Sequence, residues 1–167
     1  MHEIYEPTGL EFRDYVAVCQ VSRTLQDGFD RKNRDLICAA LAPSMTLDYR
    51  SVWPEVPVKT YTPDSFVQEC LSAEKLGNRL LSTQHMLGVP YIHSATSDEI
   101  AIEWQLIASH GRRGDGDDTS SKIEEQCNAR AFLLHKYSKI DGKWKISYIK
   151  PTVIYTPGDT AQIFRPE

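Results

Sequence analysis

No stretch of this 167-residue chain approaches the ~20 consecutive apolar residues that a membrane-spanning helix requires. The opening residues, MHEIYEPTGLEF, lack both a basic start and an apolar core, so no secretory signal or transit peptide is expected. Basic residues are outnumbered: 19 Lys and Arg stand against 23 Asp and Glu, for a net charge of −4. That balance argues against nucleic-acid or anionic-membrane partners. Cysteine is sparse, and Cys19, Cys38, Cys70 and Cys127 lie far apart with no C-x-x-C pair. Neither a disulfide framework nor a zinc site follows, and free thiols in a reducing cytoplasm are the expectation. The chain has no H-x-H, no H-E-x-x-H and no Gly-rich phosphate loop, so no metal and no cofactor are expected. GDGDD around Asp115 resembles half of a calcium loop but lacks its closing bidentate Glu. Arg113 to Asp115 spell RGD, a chance tripeptide in a polar stretch.

What remains has the makeup of one globular domain over residues 1–167, with 41% hydrophobic and 25% charged residues. Thr8 and Glu11 form a capping-box pattern before Phe12, Tyr15, Val16 and Cys19, which recur at helical spacing. A helix is expected from about Leu10 to Thr24, broken by DGFDRKN. Asn33 can cap a short second helix, RDLICAALA, which stops before Pro43. Thr62 and Pro63 open a third helix that closes near Gly77.

After Gly77 the apolar period changes to two. Leu81, Thr83, His85 and Leu87 share one face, and Ile100 to His110 share another over a long strand. HGRRGDGDDTSSK reads as a mobile polar loop. A strand from about Ile123 to Ser138, the Asp141-Gly142 hairpin signal and a strand ending at Pro151 complete the pattern. Helices followed by antiparallel strands give an α+β class: a curved sheet with helices on one face, enclosing a cone-shaped cavity.

Met45, Leu47 and Tyr49 share one parity of a further strand, and Thr46, Asp48 and Arg50 the other. Tyr49 therefore points inward, and its hydroxyl needs either a structural acceptor or a pocket. His85 and His110 occupy inward faces with apolar neighbours at i±2. Each alone reads as a satisfied core residue sooner than as a catalyst. Together on adjacent strands, with Tyr49 and the loop acid Asp30 at hand, they could move protons beside a carbonyl and a leaving hydroxyl. His135 reads as core or rim, His2 and His93 as surface. Trp53 and Tyr61 either cover the cavity mouth or shield the core.

In order along the chain, APSMTLDYRS, TQHMLG, SH, YSKIDGKWKISYIKP and the terminal IF resemble the scytalone dehydratase family, one of the NTF2-like, SnoaL-like α+β barrels. The resemblance runs from about Phe12 to Phe164. It implies a cone-shaped fold, a homotrimer and cofactor-free dehydration of a hydroxylated aromatic polyketide ketone in fungal pigment or secondary-metabolite synthesis. It implies that Tyr49 polarises the substrate carbonyl through a water. It implies that His85 and His110 move protons, and that Asp30 supports the second of them.

Phe164 matches the family pattern, Trp53 is a further candidate substrate-binding residue from its loop, and four positions depart from the pattern. Phe29 stands where the family has a second tyrosine. Ala131 and Leu133 stand where it has Ser and Asn. Thr160 replaces an aromatic lid residue. Each lost hydrogen bond is worth about 0.5–1.5 kcal/mol net, so a larger or more apolar polyketide is expected. The alternatives are decarboxylation, isomerisation or cyclisation at the same acid–base set, or a non-catalytic small-molecule binder.

Overall fold

The computed structural model describes residues 4–114 and 120–165. It begins with α1 (Phe12–Asp30) and α2 (Arg34–Ala40). The strands β1 (Leu41–Leu47) and β2 (Lys59–Tyr61) follow, and then α3 (Pro63–Cys70). Four long strands come next: β3 (Leu81–Ala95), β4 (Glu99–Arg113), β5 (Ile123–Ile140) and β6 (Lys143–Tyr155). A short α4 (Thr160–Ile163) ends the order. The six strands form one curved open sheet in the order β2-β1-β6-β5-β4-β3. The β1–β6 pair is parallel and the other pairs are antiparallel.

Several local signals behave as expected. Asn33 Oδ1 accepts from Asp35 N and Leu36 N and caps α2. Thr62 and Ser65 cap α3 reciprocally, with Pro63 in its first turn. Asp141 and Gly142 take φ of 49° and 74°, the left-handed pair that a two-residue hairpin of matching twist requires.

α3 ends at Cys70 rather than near Gly77, and three further boundaries differ from expectation. The N-cap of α1 is Glu11, with no side-chain cap bond, so the Thr8–Glu11 capping box does not form. The helix then runs through Gly28 and ends at Asp30. Gly28 is a packing glycine rather than a breaker: a Cβ there would lie 2.6 Å from Ile37 Cγ1, so its absence lets α2 close on α1. A glycine inside a helix costs only about 1 kcal/mol against Ala. The chain turns instead at Lys32, which adopts a φ of 50° and whose ammonium donates to the Leu76 and Asn78 carbonyls. Asp30 is thus a last-turn helical residue, not a loop acid.

The third difference is the stretch after His110, expected as loop. β4 continues to Arg113, and β6 continues past Pro151 to Tyr155. Residues 115–119, with most of GDGDD and the end of RGD, lie outside the described residues, as does His2.

The core lies between α1–α3 and the concave sheet face. It includes Leu25, Ile37, Met45, Ile100, Ile102, Trp104, Leu133 and Ile146. Behind it Ser22 Oγ meets His135 Nδ1 at 2.9 Å and the Tyr137 hydroxyl at 2.5 Å, and Trp104 Nε1 donates to that hydroxyl at 3.0 Å. His135 is fully buried, so it belongs to the core.

Candidate active site

The site forms where the last turn of α1 meets β3 and β4. On the β3–β4 ladder Thr83 opposes His110 and His85 opposes Ala108. His85 and His110 are therefore diagonal neighbours on one face. Their ring centroids are 5.5 Å apart and the rings nearly perpendicular, at 89°.

A carboxylate in the last turn of a helix faces the negative end of the helix dipole, and α1 has no basic residue there to offset it. Asp30 is held instead from the sheet. Its Oδ1 accepts from the Thr83 hydroxyl at 3.0 Å and meets His85 Nδ1 at 2.6 Å, and its Oδ2 accepts from the His85 backbone N–H at 2.8 Å. Burial works against the Asp30 charge, but these hydrogen bonds outweigh it and hold the carboxyl below its ordinary range. An ionised carboxylate can only accept. His85 Nδ1 therefore donates to Asp30, which leaves Nε2 as the ring nitrogen turned away from the acid.

His110 lacks such support. Its Nδ1 is buried with no partner among the described residues. Burial, and then the neighbouring His85, push its pKa down to about 4, with Asp30 opposing. The two imidazoles are thus differentiated: one is held by an acid, the other is neutral at neutral pH. The structure places Asp30 on the first histidine, His85, rather than on the second, as the resemblance had implied.

Aromatic rings extend the site on both sides. Phe29 lies 5.7 Å from the His85 ring and 6.1 Å from Phe66, and Phe66 lies 5.5 Å from Tyr61. Phe164 lies 5.7 Å from His110. Ala131 and Leu133 oppose Leu106 and Trp104 on the concave face of β5. Asn128 opposes Ser109 and so faces the other way from His110 and Cys127.

Tyr49 differs from expectation. β1 ends at Leu47, and the alternation fails at Asp48, which is 3% exposed although read as outward-facing. Asp48 accepts two bonds from the Arg50 guanidinium and one each from Arg50 N and the Tyr148 hydroxyl. These bonds, Arg50's first, hold its carboxyl far below the usual range. This anchored turn, not a strand register, sets Tyr49. The Tyr49 ring stacks on Trp53 at 5.2 Å and 18°, while Trp53 remains half-exposed. Burial, then neighbouring Cys70 and Tyr61, push the Tyr49 phenol upward. A chain of aromatic rings, Tyr61, Phe66 and Phe29, runs from the neighbourhood of Tyr49 to His85.

Two residues outside the expected set complete the site. Thr83, two positions before His85 on the same strand face, was legible only as a hydroxyl among apolar neighbours. Arg112 lay in the presumed loop. It sits on the His110 face opposite Leu81, and its guanidinium donates to the Ile163 and Arg165 carbonyls at 3.1 and 2.8 Å. The tail is fixed there, with Ile163 packed on Leu81 and Cys127 and Phe164 beside them.

No group of three or more His, Cys, Asp or Glu side chains suited to a metal ion occurs among the described residues. No described helix is long and apolar enough to cross a membrane. A surface groove of about 600 Å³ beside the β5–β6 hairpin, lined by Arg13, Asp14, Lys139, Lys143 and Trp144 among others, contains none of the candidate residues.

Residues 9–167 match the family model described as scytalone dehydratase. The chain is 48% identical over 166 residues to the dehydratase cfoI of Aspergillus candidus, covering 99% of this chain and 96% of that one. It is 30% identical to the scytalone dehydratase arp1 of Aspergillus fumigatus, covering 93% and 91%. Among solved structures, the Kfla4162 protein from Kribbella flavida aligns with a TM-score of 0.72 at 20% identity, over 92% of this chain and 97% of that one. The hexachlorocyclohexane dehydrochlorinase LinA-type3 from Novosphingobium barchaimii aligns with a TM-score of 0.66 at 12% identity, over 93% and 96%. At these identities the solved structures show the fold alone.

Proposed function

The chain belongs to the scytalone dehydratase family and is a dehydratase, a carbon–oxygen lyase, and from that premise we propose that His85, held by Asp30, is the base that removes water from a hydroxylated aromatic polyketide ketone. The observation that carries this reading is the double attachment of Asp30 to His85, through the ring and through the backbone.

His85 Nε2 takes the proton from the carbon beside the substrate carbonyl. The C–H electron pair becomes the enolate double bond, and the carbonyl oxygen takes the negative charge. Asp30 stabilises the imidazolium that results, as a buried carboxylate does for a paired histidine. The enolate then re-forms the carbonyl and expels the β-hydroxyl, which accepts the proton from His85 and leaves as water. One histidine thus takes and returns one proton, and aromatisation of the ring drives the loss. His110, neutral at neutral pH, orients the departing hydroxyl by hydrogen bonding. Tyr49 polarises the carbonyl through a water.

The apolar residues Phe29, Ala131 and Leu133 support a larger or less oxygenated ring system than the small substrate of the family pattern. Phe164 and Trp53 cover the two ends of the site. The outer sheet face exposes Met86, Val89, Tyr91, Phe132, Ile154 and Tyr155. That unpartnered apolar surface supports assembly of three copies of this chain, which sedimentation analysis tests directly. All four cysteines are free, which supports a reducing, cytoplasmic setting.

Incubation with a panel of hydroxylated naphthalenones and anthracenones, read by mass spectrometry, tests the reaction. Loss of one water is the expected result. Loss of carbon dioxide or a mass-neutral change would replace dehydration by decarboxylation or isomerisation at the same residues.

A further inference from the structure

Gln26 lies one helical turn after Ser22 and one turn before Asp30 on α1. Ser22 bonds to His135 and Tyr137 on β5, and Asp30 bonds to Thr83 and His85 on β3. These three side chains share the helix face laid across the sheet, and Gln26 is the middle one. It is 2% exposed.

Its two neighbours on that face are fully partnered. The Gln26 carboxamide makes no hydrogen bond to any described residue, although buried polar groups are ordinarily paired. Among the described residues, the sealed side-chain nitrogens and oxygens without a partner are His110 Nδ1 and His135 Nε2. The slight accessible surface of Gln26 therefore lies at least partly at its carboxamide. The carboxamide borders open space rather than sealed packing.

Between the contacts of its two neighbours, the concave face of β5 is apolar. Ser22 marks His135 on β5, and Asp30 marks His85, whose ladder leads through Ala108 to Ala129. The β5 positions between these marks on the concave face are Ala131 and Leu133. They are the positions at which the family pattern carries polar groups and this chain does not.

We propose that Gln26 is a specificity-determining residue of the site, its carboxamide hydrogen-bonding a ring oxygen of the bound polyketide remote from the reacting carbon. The inference rests on the dehydratase reading of this cavity. A carboxamide supplies two donors and an acceptor, so it suits a phenolic hydroxyl or a second carbonyl equally. It stands on the helix wall rather than the sheet wall, so the chain selects a different oxygenation pattern from relatives whose polar groups lie on the strand. An unpaired buried amide also weakens the free protein, which a merely structural glutamine would not do.

The test is isothermal titration of the full chain with 2-naphthol and 2,7-dihydroxynaphthalene, which differ by one remote ring hydroxyl. Wild type is compared with Gln26→Met, a near-isosteric apolar replacement, and with Gln26→Asn, and thermal unfolding is recorded for each. The wild type is expected to prefer the dihydroxy ring by about 10-fold, the value of one good hydrogen bond. Gln26→Met is expected to abolish that preference, keep the affinity for 2-naphthol and unfold at a higher temperature. Retention of the preference in Gln26→Met would overturn the inference. So would an equal loss for both rings with a lower unfolding temperature in both variants, or a wild type that prefers neither ring or binds neither. The dehydratase reading is judged separately, by water loss in wild type against His85→Ala.

Discussion

Asp30 and His85 are joined twice, once through the imidazole Nδ1 at 2.6 Å and once through the His85 backbone N–H at 2.8 Å. The first contact fixes the tautomer. The second fixes the carboxylate against the strand, so the ring cannot turn without breaking the pair. Asp30→Asn keeps the shape but replaces an obligate acceptor with a group that can donate. The variant should remain folded, with a lower unfolding temperature, and lose kcat by about 10²–10⁴-fold. Steady-state kinetics beside calorimetry check this, and a folded variant of full activity would remove Asp30 from the mechanism.

Protonation of the buried histidines should govern stability in mild acid. Their ordinary pKa is 6.5, and burial is the chief cause that pushes His110 down to about 4 and His135 down to about 3 in the native fold. Between those values and 6.5 the unfolded chain holds more protons than the native one, so stability rises with pH. The contribution is fully present above pH 6.5 and falls away as pH drops through that window. From pH 7 to 5 each histidine accounts for about 2 kcal/mol. Asp30, depressed below 3.8, adds to the loss only at lower pH. Urea unfolding at pH 7 and pH 5 should show a lower midpoint at pH 5, and an unchanged midpoint would contradict the burial of these rings.

Arg112 should act on binding rather than on chemistry. Its guanidinium holds two tail carbonyls and thereby seats Phe164 over His110. Charge-assisted bonds of this kind are worth about 1.5–3 kcal/mol each. Arg112→Met is expected to raise KM by at least about 10-fold with a smaller change in kcat. Amide exchange over residues 160–165 should quicken in the same variant. A kcat effect without a KM effect would place Arg112 elsewhere in the reaction.

Restoring the polar wall should shift substrate choice. Phe29→Tyr, Ala131→Ser and Leu133→Asn together return the three groups that the family pattern carries. The combined variant should turn over small bicyclic naphthalenones faster, while losing stability by about 1–3 kcal/mol for each buried polar group left unpaired. Competition between bicyclic and tricyclic substrates measures the shift, and an unchanged ratio would show that these positions do not set ring size.

Much of this was legible in the residues themselves. Asn33, Thr62-Pro63 and Asp141-Gly142 mark their elements because capping and hairpin geometry act locally. The pairing of His85 with His110 followed from strand parity on two neighbouring strands. Asp30 was misread because Gly28 looks like a helix breaker, while its real role, close approach to Ile37, is a tertiary fact. Tyr49 was placed on a strand because its parity matched Leu47, but Asp48 and Arg50 close a turn that periodicity does not register. Arg112 was hidden because two arginines before a Gly-Asp stretch read as solvated loop, and the bonds that bury it come from the tail over 50 residues away.

The most direct test of the central claim is the turnover of His85→Ala against wild type on a substrate that loses one water, with folding verified by calorimetry. The account predicts that water loss falls by at least about 10³-fold while His110→Ala, with its hydroxyl-orienting role, retains more activity than His85→Ala. A folded His85→Ala that dehydrates its substrate at the wild-type rate would contradict it.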